Sequence, residues 1–82
     1  MPHTTPAPLS ASQLYRALEA AGVPMDHHAS DLYVPVTDVT RALIAQYHFR
    51  KMVTTFRDAG GQMWYEITGA YLPFWRQREV TL

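Results

Sequence analysis

Four residues, Asp58, Ala59, Gly60 and Gly61, divide two runs of β-forming residues, 52–57 and 62–68. Glycine permits the positive φ angles that a tight connection needs, so the two runs are expected to fold back on each other as an antiparallel hairpin. A lone hairpin is marginal in water; about three strands with one apolar face, or a helix packed against the hairpin, are needed for independent stability. The remainder of the chain must therefore supply the cover. A rival arrangement continues the preceding helix through Arg57 to a stop at Gly60. Val53, Thr54 and Thr55 argue against it, being poor helix formers, and the apolar stripe loses its phase after Tyr47.

Upstream, Ser10 and Gln13 are spaced as a capping box, and Leu9 and Leu14 as a hydrophobic staple. Leu14, Leu18 and Ala21 continue one stripe, with Tyr15 beside it, until Gly22 and Pro24 end it, which predicts a helix over 11–21. Leu32, Val34 and Val36 alternate with Tyr33 and Pro35, the period of a half-buried strand. Pro35 cannot donate to a ladder, so the strand lies at an edge or ends there. Thr37 or Asp38 then caps a second helix, with Val39, Ala42, Leu43, Ile44 and Tyr47 on its apolar face, fading near His48. The order helix, strand, helix, hairpin predicts a single α+β domain over residues 9–82, two helices on a small antiparallel sheet, preceded by a flexible proline-rich arm over residues 1–8. Beyond Gly69, Pro73 suggests an irregular segment or one helical turn, and 78–82 a tail or short strand.

Half of the ten aromatic side chains, Trp64, Tyr65, Tyr71, Phe74 and Trp75, fall in one short run followed by Arg76 and Arg78. On the predicted strand, Met63, Tyr65 and Ile67 share one face while Trp64, Glu66 and Thr68 share the other. A sheet this small cannot bury both faces unless helices or a second chain cover its back. One outcome is that these rings close over the core as a lid. The other is an exposed patch in which Trp64 or Trp75 joins Tyr71, Phe74 and Arg76, the residue types that supply binding energy at interfaces. Without cysteine there is neither a disulfide nor a thiolate metal site, so self-association, as a dimer, is the expected source of extra stability.

Formal net charge is zero, which argues against general affinity for nucleic acid. The charges are segregated all the same: Glu19, Asp26, Asp31 and Asp38 form an acidic block, and Arg41, Arg50, Lys51 and Arg57 a basic one. Arg50, Lys51 and Arg57, interleaved with Phe49 and Phe56, make a basic edge able to orient a partner or, less compatibly with the net charge, to follow a nucleic-acid strand. Asp26, His27, His28 and Asp31 are the one place where metal-ligand types crowd together. Adjacent histidines diverge on most backbones, and a polar loop accounts for the same residues, so no metal or cofactor is expected. Ser10, Ser12 and Ser30 lack the context of a nucleophile, and Gly60 and Gly61 are not followed by the Lys-Ser/Thr of a phosphate loop. No stretch is apolar enough to span a bilayer and the N-terminus lacks a secretion pattern, so the expected location is a reducing cytoplasm.

In residues 31–37, 54–57, 64–67 and 70–75 the chain resembles small orphan open reading frames carried by tailed bacteriophages and prophages, a likeness covering about residues 30–75. That resemblance implies an accessory protein that binds a host protein or a host defence component, CRISPR effectors included, or sequesters a small signalling molecule; it carries no site residues. The expected function is thus a non-enzymatic protein-binding module, an anti-CRISPR-like inhibitor of a host protein complex, acting in the host cytoplasm through Trp64, Tyr71, Phe74, Trp75, Arg76, Arg50, Lys51 and Arg57. The alternatives are an oligomeric nucleotide sponge and a small metal-dependent enzyme around His27, His28 and Asp31, or a nucleic-acid-binding module.

Overall fold

A computed structural model describes residues 7–80, with side chains through Arg76. Six of the eight residues of the expected arm, and the last two of the expected tail, lie outside the described residues. The fold is α+β: helix α1 (Ala11–Ala20), strands β1 (Asp26–His28) and β2 (Asp31–Pro35), helix α2 (Asp38–Ala45), a 3-10 turn (Arg50–Met52), strands β3 (Val53–Arg57) and β4 (Met63–Ile67), and helix α3 (Leu72–Val80). The strands form one antiparallel sheet in the order β1-β2-β4-β3. The expected helix, strand, helix and hairpin are all present; the structure adds the short strand β1 and extends the single turn expected near Pro73 into α3, which takes in residues 78–80.

Local chemistry sets the element ends. Ser10 caps α1: its hydroxyl accepts from Gln13 N at 3.2 Å while the Gln13 side chain accepts from Ser10 N at 2.9 Å, the reciprocal box that the spacing predicts. Thr37 and Thr40 repeat the device on α2. There the Thr40 hydroxyl also donates to Pro35 O at 2.7 Å, tying the first turn of α2 to the end of β2. This bond rotates the helix away from the expected apolar face. Thr40 is wholly buried and Ile44 nearly so, with Leu43 partly buried and Tyr47 buried beyond the helix, whereas Val39 is 51% exposed and Ala42 faces outward. Pro35 is the last residue of β2, where its missing N–H costs no ladder bond, and β2 itself runs inside the sheet.

The core lies on one side of the sheet. Leu32 and Val34 from β2, Ile67 from β4, Leu14 and Leu18 from α1, Ile44, Tyr47 and Ala70 pack together there, every one at least nine-tenths buried. Leu9 joins them through a bridge to Tyr47, with Leu9 N donating to Gln46 O and His48 N to Leu9 O, both at 2.8 Å. Burial of each of these large aliphatic chains contributes about 1.5–3 kcal/mol. The opposite face has no buried residue: Tyr33, Thr54, Phe56, Trp64 and Glu66 all stay at least partly exposed.

Thr40→Val keeps the buried shape but strips the hydroxyl, leaving Pro35 O and the cap without their partner. We expect a loss of about 1–3 kcal/mol in urea-induced unfolding with the slope unchanged, and a smaller loss for Thr40→Ser, which retains the hydroxyl.

Candidate binding surface

Three strands build the face that no described helix covers. The register sets Tyr33 opposite Glu66, Thr54 opposite the same Glu66, and Phe56 opposite Trp64. Alternation in the strands places these side chains on the side away from Leu32, Val34 and Ile67. Tyr33 and Phe56 meet edge to face, centroids 5.7 Å apart and planes at 87°. The Tyr33 hydroxyl donates to Glu66 Oε1 at 3.3 Å and the Thr54 hydroxyl to Glu66 Oε2 at 3.4 Å, so one carboxylate holds a side chain from each neighbouring strand. Desolvation, then the Glu66 charge and hydrogen bond, then Asp31 and Asp26 raise the Tyr33 phenol above its ordinary range, a sign of the negative field on this face.

Asp58 organises the hairpin turn and fixes Trp64 at once. Its Oδ1 accepts from Gly60 N and Gln62 N, each at 2.9 Å, and its Oδ2 from the Trp64 indole N–H at 2.8 Å. Gly61, at φ +86°, supplies the positive angle that closes the turn. The Trp64 bond first, then those from Gln62, Gly60 and Gly61, hold the Asp58 carboxyl below the usual carboxylate range against an opposing effect of desolvation. The turn thus presents the indole in a set orientation, with an ionised carboxylate beside it.

The remaining nominated residues do not join Trp64. Tyr71 lies on the core side, stacked on His27 (3.7 Å, 4°) and edge-on to Tyr15 (6.0 Å, 78°). Trp75 is 43% exposed on α3; its indole N–H donates to Gly69 O at 3.0 Å, and its ring meets Phe74 at 5.1 Å. Trp64 is bonded at the β3–β4 turn and Trp75 beyond the other end of β4, so the aromatic run divides between two faces and two ends of the strand. Arg76 is exposed on α3. The basic edge is divided too: Arg50 and Lys51 occupy the 3-10 turn before β3, while Arg57 ends it and donates to Gly61 O at 2.9 Å. An extended strand between them keeps these charges apart.

Asp26, His27, His28 and Asp31 form β1 and its turn into β2. Strand alternation sends the two histidines to opposite faces, Asp31 Oδ1 accepts from Gly69 N at 3.2 Å, and Asp26 Oδ1 from His27 N at 2.8 Å. Among the described residues no group of three or more His, Cys, Asp or Glu side chains converges as a metal site, and no helix is long and apolar enough to cross a membrane. Tyr33 and Phe56 are the residues of this surface that sequence reasoning did not nominate as a unit with Trp64. Alternation set Tyr33 opposite Leu32 and Val34, whereas Phe56 was read as part of a basic edge, and only the pairing of β2 and β3 on either side of β4 reveals that they meet. Comparison with protein-family models, curated proteins and solved structures finds no match.

Because the folded Asp58 carboxyl titrates below its unfolded value of about 3.9, its stabilising effect is complete above that value and is lost as pH falls through the folded one. Acidification below about pH 4 is therefore expected to loosen the turn and release the Trp64 indole, seen as faster exchange of its indole proton. Asp58→Asn should flatten that dependence.

Proposed function

We propose that the protein is a non-enzymatic protein-binding module whose docking surface is the open face of its sheet. One observation supports this reading: Tyr33, Phe56 and Trp64, from three different strands, stand together where no described helix covers them. Aromatic side chains desolvate a large area at low rotamer cost, and those of Trp and Tyr are enriched at the energetic centres of interfaces. Two acidic groups of this face are already engaged in holding it, Asp58 with Trp64 and the turn amides, Glu66 with Tyr33 and Thr54. Such tethering favours presentation of a fixed surface over proton transfer. A phage accessory protein that inhibits a host protein complex in the host cytoplasm is the setting this reading fits.

The free edge of β3 favours a dimer as the working form. Thr68 N donates to Met52 O and Asp58 N to Gln62 O, which sets the phase of the β3–β4 ladder. Residues 54 and 56 spend their backbone groups on β4, so Thr55 and Arg57 direct theirs outward, as does the carbonyl of Val53; the Val53 N–H is already bonded to Arg50 O. An antiparallel second copy centred on Thr55 matches this set: Thr55 N–H and C=O bond reciprocally to Thr55 of the other copy, and Arg57 N–H meets Val53 C=O in both directions. Moving the two-fold axis to Phe56 would bring the two Arg57 side chains to diagonal positions, where like charges repel.

Two measurements test these readings. Immobilised protein should retain its partner from host extract; Phe56→Glu should reduce capture at least ten-fold, while Trp75→Ala should leave it intact, and the reverse pattern would transfer the docking surface to α3. In sedimentation equilibrium the wild type should form a dimer. Thr55→Pro should be a folded monomer, since the amide it removes makes no bond within the sheet.

A further inference from the structure

The rings of Tyr33, Phe56 and Trp64 wall a recess of about 290 Å3 that is completed by Asp26 from β1 and Asp58 from the β3–β4 turn. Tyr33 and Phe56, at right angles, form a corner of it, and Trp64 is held in place by its bond to Asp58. No lining residue is basic. Arg57, the only basic residue of β3, turns its guanidinium to Gly61 O. Nor have the two carboxylates exhausted their acceptor capacity. An ionised carboxylate offers about four acceptor sites; Asp58 receives hydrogen bonds from Gly60, Gln62 and Trp64, and Asp26 receives one from His27 N.

Aromatic faces attract cations through the ring quadrupole, and the attraction grows as the cation is desolvated. Carboxylates at the rim add charge complementarity and hydrogen-bond acceptors. A purely apolar ligand would leave Asp26 and Asp58 facing it without compensation, and an anion would be repelled by both. A guanidinium fits the whole set: its flat face stacks on a ring while its fork of N–H donors reaches carboxylate oxygens.

Resting on the reading of the open face as a protein-docking surface, we propose that this recess is the anchor pocket for an arginine side chain of the partner protein. Tyr33, Phe56 and Trp64 are its walls, and Asp26 and Asp58 its charge partners. The pocket selects a partner whose contact surface is basic, and its negative field speeds encounter with such a surface.

The test uses the whole chain and Nα-acetylargininamide as probe, at constant ionic strength, with Nα-acetylcitrullinamide as the neutral isostere and tetramethylammonium as a free cation. Binding is followed by the Trp64 indole N–H resonance. We expect saturable shifts with a dissociation constant in the millimolar range for the arginine probe and at least ten-fold weaker binding of the citrulline probe. Asp26→Asn, which keeps an acceptor for His27 N, should weaken arginine binding at least five-fold. Phe56→Leu, which keeps the apolar bulk but removes the ring, should weaken it about as much. Equal binding of arginine and citrulline probes, no saturable binding of either, or tighter binding of tetramethylammonium than of the arginine probe would each overturn the proposal. The two readings fail separately. An absent arginine response with Phe56→Glu still abolishing capture removes the anchor pocket alone, whereas capture unaffected by Phe56→Glu removes the docking face even where the probe binds.

Discussion

The pairing of β2 with β4 is the interaction on which the rest of the molecule depends. It joins halves of the chain more than thirty residues apart, setting Leu32 against Ile67 and Tyr33 against Glu66 in a single register. Because side chains alternate, one ladder decides both faces at once. A slip of β2 by one residue against β4 would carry Leu32 and Val34 into water and push Tyr33 into the core, away from Glu66. Apolar burial on one side therefore enforces the aromatic and acidic composition of the other.

A chain of this size has enough apolar surface to cover one face of a four-stranded sheet. The described helices are spent there, α1 and α2 directly over the core and α3 tied in through Tyr71, whose N–H donates to Ser30 O at 2.9 Å. The bare face is thus a consequence of economy. Its acidic character also follows from the topology. The sequence separates an acidic block from a basic one, and the sheet then sets Asp26 of β1 near Asp58 at the far hairpin, while Arg50 and Lys51 stay in the turn that precedes β3.

Local signals made much of this fold legible from sequence. Ser10 with Gln13 marked the start of α1, the alternation of Leu32, Val34 and Val36 marked β2, and the glycines after Asp58 marked the hairpin. What escaped notice lacked such signals. The β1–β2 turn uses Ala29 at φ 52°, a left-handed angle that costs an L-residue about 1–2 kcal/mol and that no glycine or asparagine advertised. The length of α3 was hidden by the absence of an apolar stripe along it. The face of α2 was misplaced because Thr40 is turned inward by its bond to Pro35 O, which the pattern of apolar residues does not encode. The candidate surface was half visible: Trp64 could be read as outward-facing on its strand, but its meeting with Tyr33 and Phe56 is a long-range property of strand order. Grouping Trp64 and Trp75 on one binding surface treated neighbours in sequence as neighbours in space, and β4 separates the two.

The position of β3 carries a dynamic consequence. Its side chains from Thr54 to Arg57 are all exposed, and among the strands it pairs only with β4, so little besides the hairpin ladder resists its detachment. Segments with few buried apolar contacts open at free energies well below that of global unfolding. The proposed docking face and dimer edge therefore both draw on the least anchored strand of the sheet. Any chain that pairs along this strand adds the missing ladder and brings a loosely held border up to the rigidity of the interior, so occupancy would be legible as slowed amide exchange in β3, far from the hydrophobic centre.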